Sequence, residues 1–264
     1  MPLCTKQPRS AILGLISAAM MAAMTADTAA AQERRPEGPD RLTGFVGGGV
    51  GLVPNYEGSD GYRVLVGPVF DLRYGNWYAN LWDGFGYDVI DTEKVVVGVG
   101  LTYVRGRKAK HSPEGVGRLN HAIGSHAYVR YYLMPEVSLT GGLTHSYGGS
   151  DGTLAELSLN YRFRPAKKVV LFPSVSATWA SGKYMQGYFG INEQQAARSG
   201  LPVFDADSGL KEISASVTAA YALDRHWHLS GTTTLKRYMS DAKNSPLNER
   251  KWQPTGSIGL AYRF

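Results

Sequence analysis

From Arg41 onward the apolar positions recur at every second residue rather than every third or fourth. Between Thr153 and Phe163, Leu157, Leu159, Tyr161 and Phe163 share one face, and Glu156, Ser158, Asn160 and Arg162 share the other. Val137, Leu139 and Leu143 alternate with Glu136, Ser138, Thr140 and Thr144. Val95, Val97, Val99, Leu101 and Tyr103 line one face of another run, and Ile213, Ala215, Val217, Ala219 and Tyr221 oppose Ser214, Ser216 and Thr218. The last run sets Ile258, Leu260, Tyr262 and Phe264 against Ser257, Gly259, Ala261 and Arg263. Successive side chains of a strand point to opposite faces, so each run predicts a two-faced β-strand. No window gives a helical stripe of similar quality.

The runs are roughly 10 to 13 residues long, which suits a tilted strand crossing a bilayer; strands of soluble proteins are typically about 5 to 6 residues. Aromatic residues gather where the runs end: Tyr74, Trp77 and Tyr78; Tyr131 and Tyr132; Tyr147; Tyr161 and Phe163; Trp179; Trp227; Trp252; Tyr262 and Phe264. Amphipathic rings prefer the headgroup level, and membrane barrels carry girdles of them. Connections alternate in length. Met134-Pro135, Arg164 to Lys168 and Leu223 to Arg225 are tight, whereas Gly106 to Asn120, Gly182 to Ser208 and Ser240 to Lys251 are long and polar. These features predict an all-β chain folded as an antiparallel transmembrane β-barrel. Closure in lipid is obligatory, because an open edge leaves backbone groups unpaired in hydrocarbon. Eleven runs are clear, an odd number. Dividing Asn76 to Val89 at Gly84 and Gly86 gives the expected count of twelve strands, with ten as the fallback.

The first 31 residues follow a different pattern. Lys6 and Arg9 precede an uncharged run from Ala11 to Met24, and Ala29-Ala30-Ala31 supplies the small residues of a cleavage site. Residues 1–31 are expected to be a secretory signal peptide, with Gln32 as the mature start. Gln32 to Asp40, charged and carrying Pro36, Gly38 and Pro39, is expected to be a flexible periplasmic tether before a barrel over 41–264. The single cysteine, Cys4, leaves with the signal, so neither a disulfide framework nor a multi-cysteine metal cluster is available. Gly is abundant at 32 residues, yet without a three-residue period. A formal net charge of +6 is mild and does not argue for nucleic acid.

The chain ends Ser257-Ile258-Gly259-Leu260-Ala261-Tyr262-Arg263-Phe264. Ser257, Gly259, Tyr262 and Phe264 resemble the terminal-strand signal that the barrel-assembly machinery reads on outer-membrane proteins. Strand addition gives this a physical sense: an edge pairs through its backbone while alternate side chains fill pockets.

Candidate chemistry is sparse. His226 and His228 share a face at a strand start, but two ligands do not complete a tetrahedral site. His145 and Ser146 are adjacent, so they point to opposite faces and cannot form a nucleophile–base pair. Gly47-Gly48-Gly49 lacks the lysine and following helix of a phosphate loop and reads as close strand packing. Asp205 and Asp207 are too few for the six or more oxygens that calcium takes. No cofactor, metal or catalytic residue is expected. One loop does stand out: Arg105, Arg107, Lys108, Lys110 and Arg118 face only Glu114. Such a cluster suits the phosphates of lipopolysaccharide.

Asn55-Tyr56-Glu57-Gly58-Ser59-Asp60, followed by Tyr62 and Pro68, resembles the N-terminal motif of the MltA-interacting protein (MipA)/OmpV family. Tyr188-Phe189-Gly190-Ile191, Gln195, Ser199-Gly200-Leu201-Pro202, Phe204, Ala206 and Gly209-Leu210 resemble its large-loop signature, and Ser245-Pro246-Leu247 matches before the final strand. The resemblance spans roughly Gly44 to Phe264. It implies an outer-membrane barrel and, in the best-known branch, a non-enzymatic scaffold joining a murein hydrolase (a lytic transglycosylase) to a peptidoglycan synthase. Other branches imply adhesion or stress responses. Lumen-facing Glu156, Asn160 and Arg162 keep a narrow channel open as an alternative.

Overall fold

The computed structural model describes residues 41–264. The expected signal peptide and tether lie outside the described residues. The chain runs through β1 (Thr43–Pro54), β2 (Tyr62–Tyr74), β3 (Trp77–Asn80), β4 (Gly84–Asp91), β5 (Val95–Val104), β6 (Ala122–Met134), β7 (Val137–Tyr147), β8 (Thr153–Tyr161), β9 (Phe163–Ala166), β10 (Val169–Ala180), β11 (Gly209–Ala222), β12 (Trp227–Tyr238) and β13 (Trp252–Arg263). Each pairs antiparallel with its neighbour, and β13 closes on β1 from Phe45↔Arg263 to Leu52↔Gly256. β8 and β9 are halves of one stave, because both pair with β10. Their junction at Arg162 falls opposite Phe172, next to Pro173, which has no N–H to offer a ladder. The barrel therefore has twelve staves, and 76–89 supplies two of them, β3 and β4, as the glycine-divided run predicts.

Parity decides which way each residue faces. Val46, Val50, Leu52, Val99, Leu101, Leu157, Leu159, Val217 and Leu260 are exposed on the outside, a belt that lipid must cover. β1 approaches β13 closely through its glycines. A Cβ on Gly47 would lie 2.1 Å from the Leu260 carbonyl oxygen, so only glycine permits this approach. Tight turns and both strand termini lie at one end, which in outer-membrane barrels faces the periplasm. Tyr74, Trp77, Tyr131, Tyr161, Phe163, Trp227, Tyr262 and Phe264 are exposed around that end; Tyr147, Trp179 and Trp252 ring the other. Two expected girdle residues are corrected. Tyr78 is buried inside the barrel, and Tyr132 packs against the buried Tyr78–Val96–Tyr128 cluster. Each follows an outward aromatic in sequence, Trp77 and Tyr131, so strand alternation turns it inward. Nearness to a strand end was the wrong criterion.

The interior is polar, and two networks pair buried charges within it. Asp88 is fully buried, accepting from Arg73 at 2.8 Å and from the Tyr128 hydroxyl. Lys211 lies between Glu57 at 3.1 Å and Glu212 at 3.5 Å, and Glu212 also meets Lys236 at 2.8 Å. Above this second network the outer mouth carries a packed cap. It comprises α1 (Gly182–Phe189), α2 (Glu193–Ser199) and α3 (Ser240–Asn244) with the β1–β2 loop. Tyr184, Met185, Phe189, Tyr238 and Ala242 form one buried cluster; Val116, Ile191 and Leu247 form another. Asn192 and Gln195 close a reciprocal capping box on α2, satisfying donors a helix start would otherwise leave open. Gly58 ties the β1–β2 loop into the cap. Its N–H donates to the Tyr238 hydroxyl at 3.1 Å, and its carbonyl accepts from the N–H groups of Glu249 and Arg250. Its φ of 92° and a Cβ position 2.9 Å from Asn248 Oδ1 leave room for glycine alone. Motif residues far apart in sequence thus meet in this one cap.

Candidate interaction site at the periplasmic mouth

The β10–β11 ladder brings two turns together that are distant in sequence, 167–168 and 223–226. Between them opens a cavity of about 690 Å³. Val170, Ala220 and Ala222, from the inward parity of β10 and β11, form its apolar floor. Its rim carries Arg164, Lys167, Lys168 and Arg225 with His226 and His228, against Asp224 as the acidic member. Asp224 is itself committed. Its Oδ1 accepts from the N–H groups of His226 at 2.7 Å and Trp227 at 2.8 Å. Those bonds stabilise the ionised form and hold its carboxyl below the usual range. Lys168 reaches across to the Leu223 carbonyl oxygen at 3.3 Å, linking the two turns. The result is a cationic rim over a small apolar floor, able to receive an anionic group or an acidic protein surface.

The expected site residues are placed as follows. His226 stacks on the outward Tyr262 at 5.3 Å, while His228 faces inward with Nδ1 3.2 Å from the His226 carbonyl oxygen. The two rings do not converge, and no group of three or more metal-ligating side chains occurs among the described residues. Ser146 Oγ donates inward to the Gly152 carbonyl oxygen, and His145 Nδ1 lies 2.9 Å from Thr153 Oγ1, so the pair is divided between faces. Asp205 Oδ1 accepts from Gln186 Nε2 at 3.5 Å, and the Asp207 N–H donates to Asp241 Oδ2 at 2.9 Å. Both aspartates therefore serve the cap.

The five loop cations separate. Arg107 is buried and donates to the Tyr188 carbonyl oxygen at 2.9 Å, so it supports the cap from below. Lys110 and Arg118 are exposed, and Arg105 and Lys108 are half-buried. Ser257, Gly259 and Tyr262 lie in β13, and the Phe264 N–H donates to the Gly44 carbonyl oxygen at 3.1 Å.

Sequence reasoning missed the Arg73–Asp88–Tyr128 and Glu57–Lys211–Glu212–Lys236 networks. The signal was present: Arg73, Asp88 and Lys236 all stand at inward parity, where an unpaired charge is costly.

Residues 46–264 match the family described as MltA-interacting protein MipA. The chain belongs to that family. It is 25% identical over 232 residues to the MltA-interacting protein of Escherichia coli K12, covering 83% of this chain and 89% of that protein. It is 26% identical over 116 residues to the putative outer membrane protein YiaT of Escherichia coli K12, covering 44% of this chain and 46% of YiaT. Among solved structures, the NanC porin is similar over 84% of this chain and 100% of its own, with 7% identity and a TM-score of 0.44. The KdgM porin covers 85% and 99%, with 9% identity and a TM-score of 0.39.

Proposed function

We propose that this member of the MipA family is a non-enzymatic outer-membrane scaffold that docks periplasmic murein enzymes, a lytic transglycosylase first, at its periplasmic mouth. The observation that carries the reading is the cationic rim of Arg164, Lys167, Lys168 and Arg225 at the end where such enzymes reside. Family membership supports the choice of partner, since the Escherichia coli relative is named for its interaction with MltA. The opposite mouth supports a scaffold over a channel, because the cap there is a packed assembly with buried apolar clusters. Glu156, Asn160 and Arg162 then line a lumen that the cap covers at its outer end. The tether Gln32 to Asp40 offers the partner a second contact.

The test is the affinity of the mature barrel, in nanodiscs, for a purified lytic transglycosylase. Replacing Lys167, Lys168 and Arg225 together by Glu should weaken binding about tenfold and reduce its salt dependence, because rim charges steer and orient association. No binding above an unrelated barrel of equal size would sink the scaffold reading. Wild-type binding that survives the triple charge reversal would sink the mouth as its location. Planar-bilayer recordings should give no steady single-channel steps.

A further inference from the structure

The barrel wall is incomplete on its outer half. β3 and β4 are short, with 4 and 8 residues, and the hairpin they form turns back at Asn80 to Gly84. β2 pairs with β3 only from Asp71↔Asn80 to Tyr74↔Trp77, so residues 62–70 of β2 have β1 on one side and no described strand on the other. β5 loses β4 beyond Phe85↔Leu101, and its residues 102–104 pair only with β6. The gap is a built feature rather than a frayed end. Asn80 Oδ1 accepts from the N–H groups of Trp82 and Asp83, both at 2.8 Å, and Thr102 donates to the Trp82 carbonyl oxygen at 3.0 Å. These bonds fix the hairpin tip as a sill.

Three further observations describe what the gap admits. Val64 and Val66, on the open edge, are the most exposed large apolar residues of the described chain, at 66% and 68%. Pro68 lies on the same strand, and proline within a sheet belongs at an edge because it cannot complete a ladder. Behind the sill, Leu65 and Trp82 pack against the buried cluster of Phe45, Val69 and Ala261, which gives the lumen an apolar floor at this level. Lipid hydrocarbon surrounds such an edge, and unpaired backbone groups there require polar partners.

The upper rim of the gap is cationic. Arg63 of β2 has its Nε buried without a hydrogen-bond partner. Arg105 follows the end of β5. Burial, then the nearby charge of Arg63, hold the Arg105 pKa below its ordinary value. His111 is depressed by the same two causes in the same order. Arg63 and Arg105 stand at the outer ends of the two strands that flank the gap, and two guanidinium groups so placed suit a phosphate, which accepts paired N–H bonds from each.

We propose that this gap is a lateral portal for a phosphorylated, acylated lipid of the outer leaflet: the phosphate binds Arg63 and Arg105, and one acyl chain passes over the Trp82 sill onto the floor formed by Phe45, Leu65 and Val69. The exposed edge of β2 receives the lipid's polar linkages, which partner its free backbone groups. This site is separate from the periplasmic mouth, so neither proposal depends on the other.

The test places the mature barrel in nanodiscs with lipid A carrying a photoreactive diazirine on one acyl chain. A diacylglycerol with the same chain serves as the phosphate-free probe. After irradiation, labelled peptides are mapped by mass spectrometry. The lipid A probe should label lumen-facing Leu65, Val69 or Trp82 about tenfold more than diacylglycerol does, the factor expected from charge-assisted phosphate bonds. Arg63→Gln with Arg105→Gln should reduce the lipid A signal to the diacylglycerol level. Arg63→Lys with Arg105→Lys should retain much of it, and heat-modifiable migration verifies that each variant is folded. Label confined to outward Val64 and Val66 would overturn the portal. Equal labelling by the two probes, or an undiminished signal in the Gln variant, would overturn the phosphate site. Displacement of the label by inorganic phosphate alone would assign the arginines to a free anion and overturn the lipid.

Discussion

Lys211→Met is expected to lower the unfolding free energy of the barrel by about 3–5 kcal/mol, the usual cost of removing one partner from a buried ion pair. Lys211 is 4% exposed and Glu212 7%, so neither is relieved by bulk water. Lys211 is also the link between wall and cap. Its Nζ donates to Glu57 at 3.1 Å, and Glu57 accepts from the Tyr184 hydroxyl at 3.3 Å. Methionine keeps the side-chain bulk but takes the lysine from Glu57, whose side chain is 28% exposed, and leaves its charge beside the Tyr184 hydroxyl. Glu212 retains Lys236, so the damage should concentrate on the Glu57 side. Urea unfolding of the refolded barrel measures the loss, and limited proteolysis of 182–208 should show the cap opening first. The double variant Lys211→Met with Glu57→Gln should recover part of the loss, because removing both charges costs less than stranding one. A single variant within about 1 kcal/mol of the parent would mean that water reaches the pair and that the apolar clusters hold the cap unaided.

The strand frame was legible because lipid outside and polar groups inside impose a two-residue period on every stave. Ser214, Ser216 and Thr218 face in and Val217 and Tyr221 face out as that period dictates. The division of 76–89 was legible through its glycines. The gap above β3 and β4 was not, although the same segment holds it. Hydropathy reveals that two strands are short, but register alone reveals that β2 overshoots them by nine residues, 62–70. The periplasmic rim was half legible. Arg164 to Lys168 reads as a basic turn, yet nothing local says that Arg225 and His226 stand beside it. That adjacency comes from β10 pairing with β11 across 28 intervening residues, 181–208. Arg107 shows the limit of counting charges in a loop. It sits among cations that reach solvent, yet the antiparallel bridge Arg107↔Leu119 folds the loop back and sends this one inward.

Deleting Phe264 is expected to reduce the amount of barrel in the outer membrane severely while changing the stability of the finished barrel little. In the folded protein Phe264 is exposed at the periplasmic girdle, and its N–H donates to the Gly44 carbonyl oxygen at 3.1 Å. Losing one interfacial aromatic removes about 1.5–3 kcal/mol of burial at most. β13 remains held on both sides, by β12 from Trp227↔Tyr262 and by β1 from Phe45↔Arg263, so the ring stays closed. Assembly makes a different demand. On the assembly-signal reading the terminal strand is recognised while the chain is still unfolded, before either neighbour can pair with it, so Ser257, Gly259, Tyr262 and Phe264 would have to act without the support of a ladder. Two measurements separate the processes. In cells the deletion should leave little protein in the outer membrane and expose the remainder to periplasmic proteases. Refolded from denaturant into detergent, the same chain should still give a heat-modifiable band with a urea midpoint close to that of the parent. Normal surface levels would refute the assembly role. Failure to refold in detergent would instead make Phe264 a structural residue, with the Gly44 bond and the girdle contact needed to hold the seam between β13 and β1.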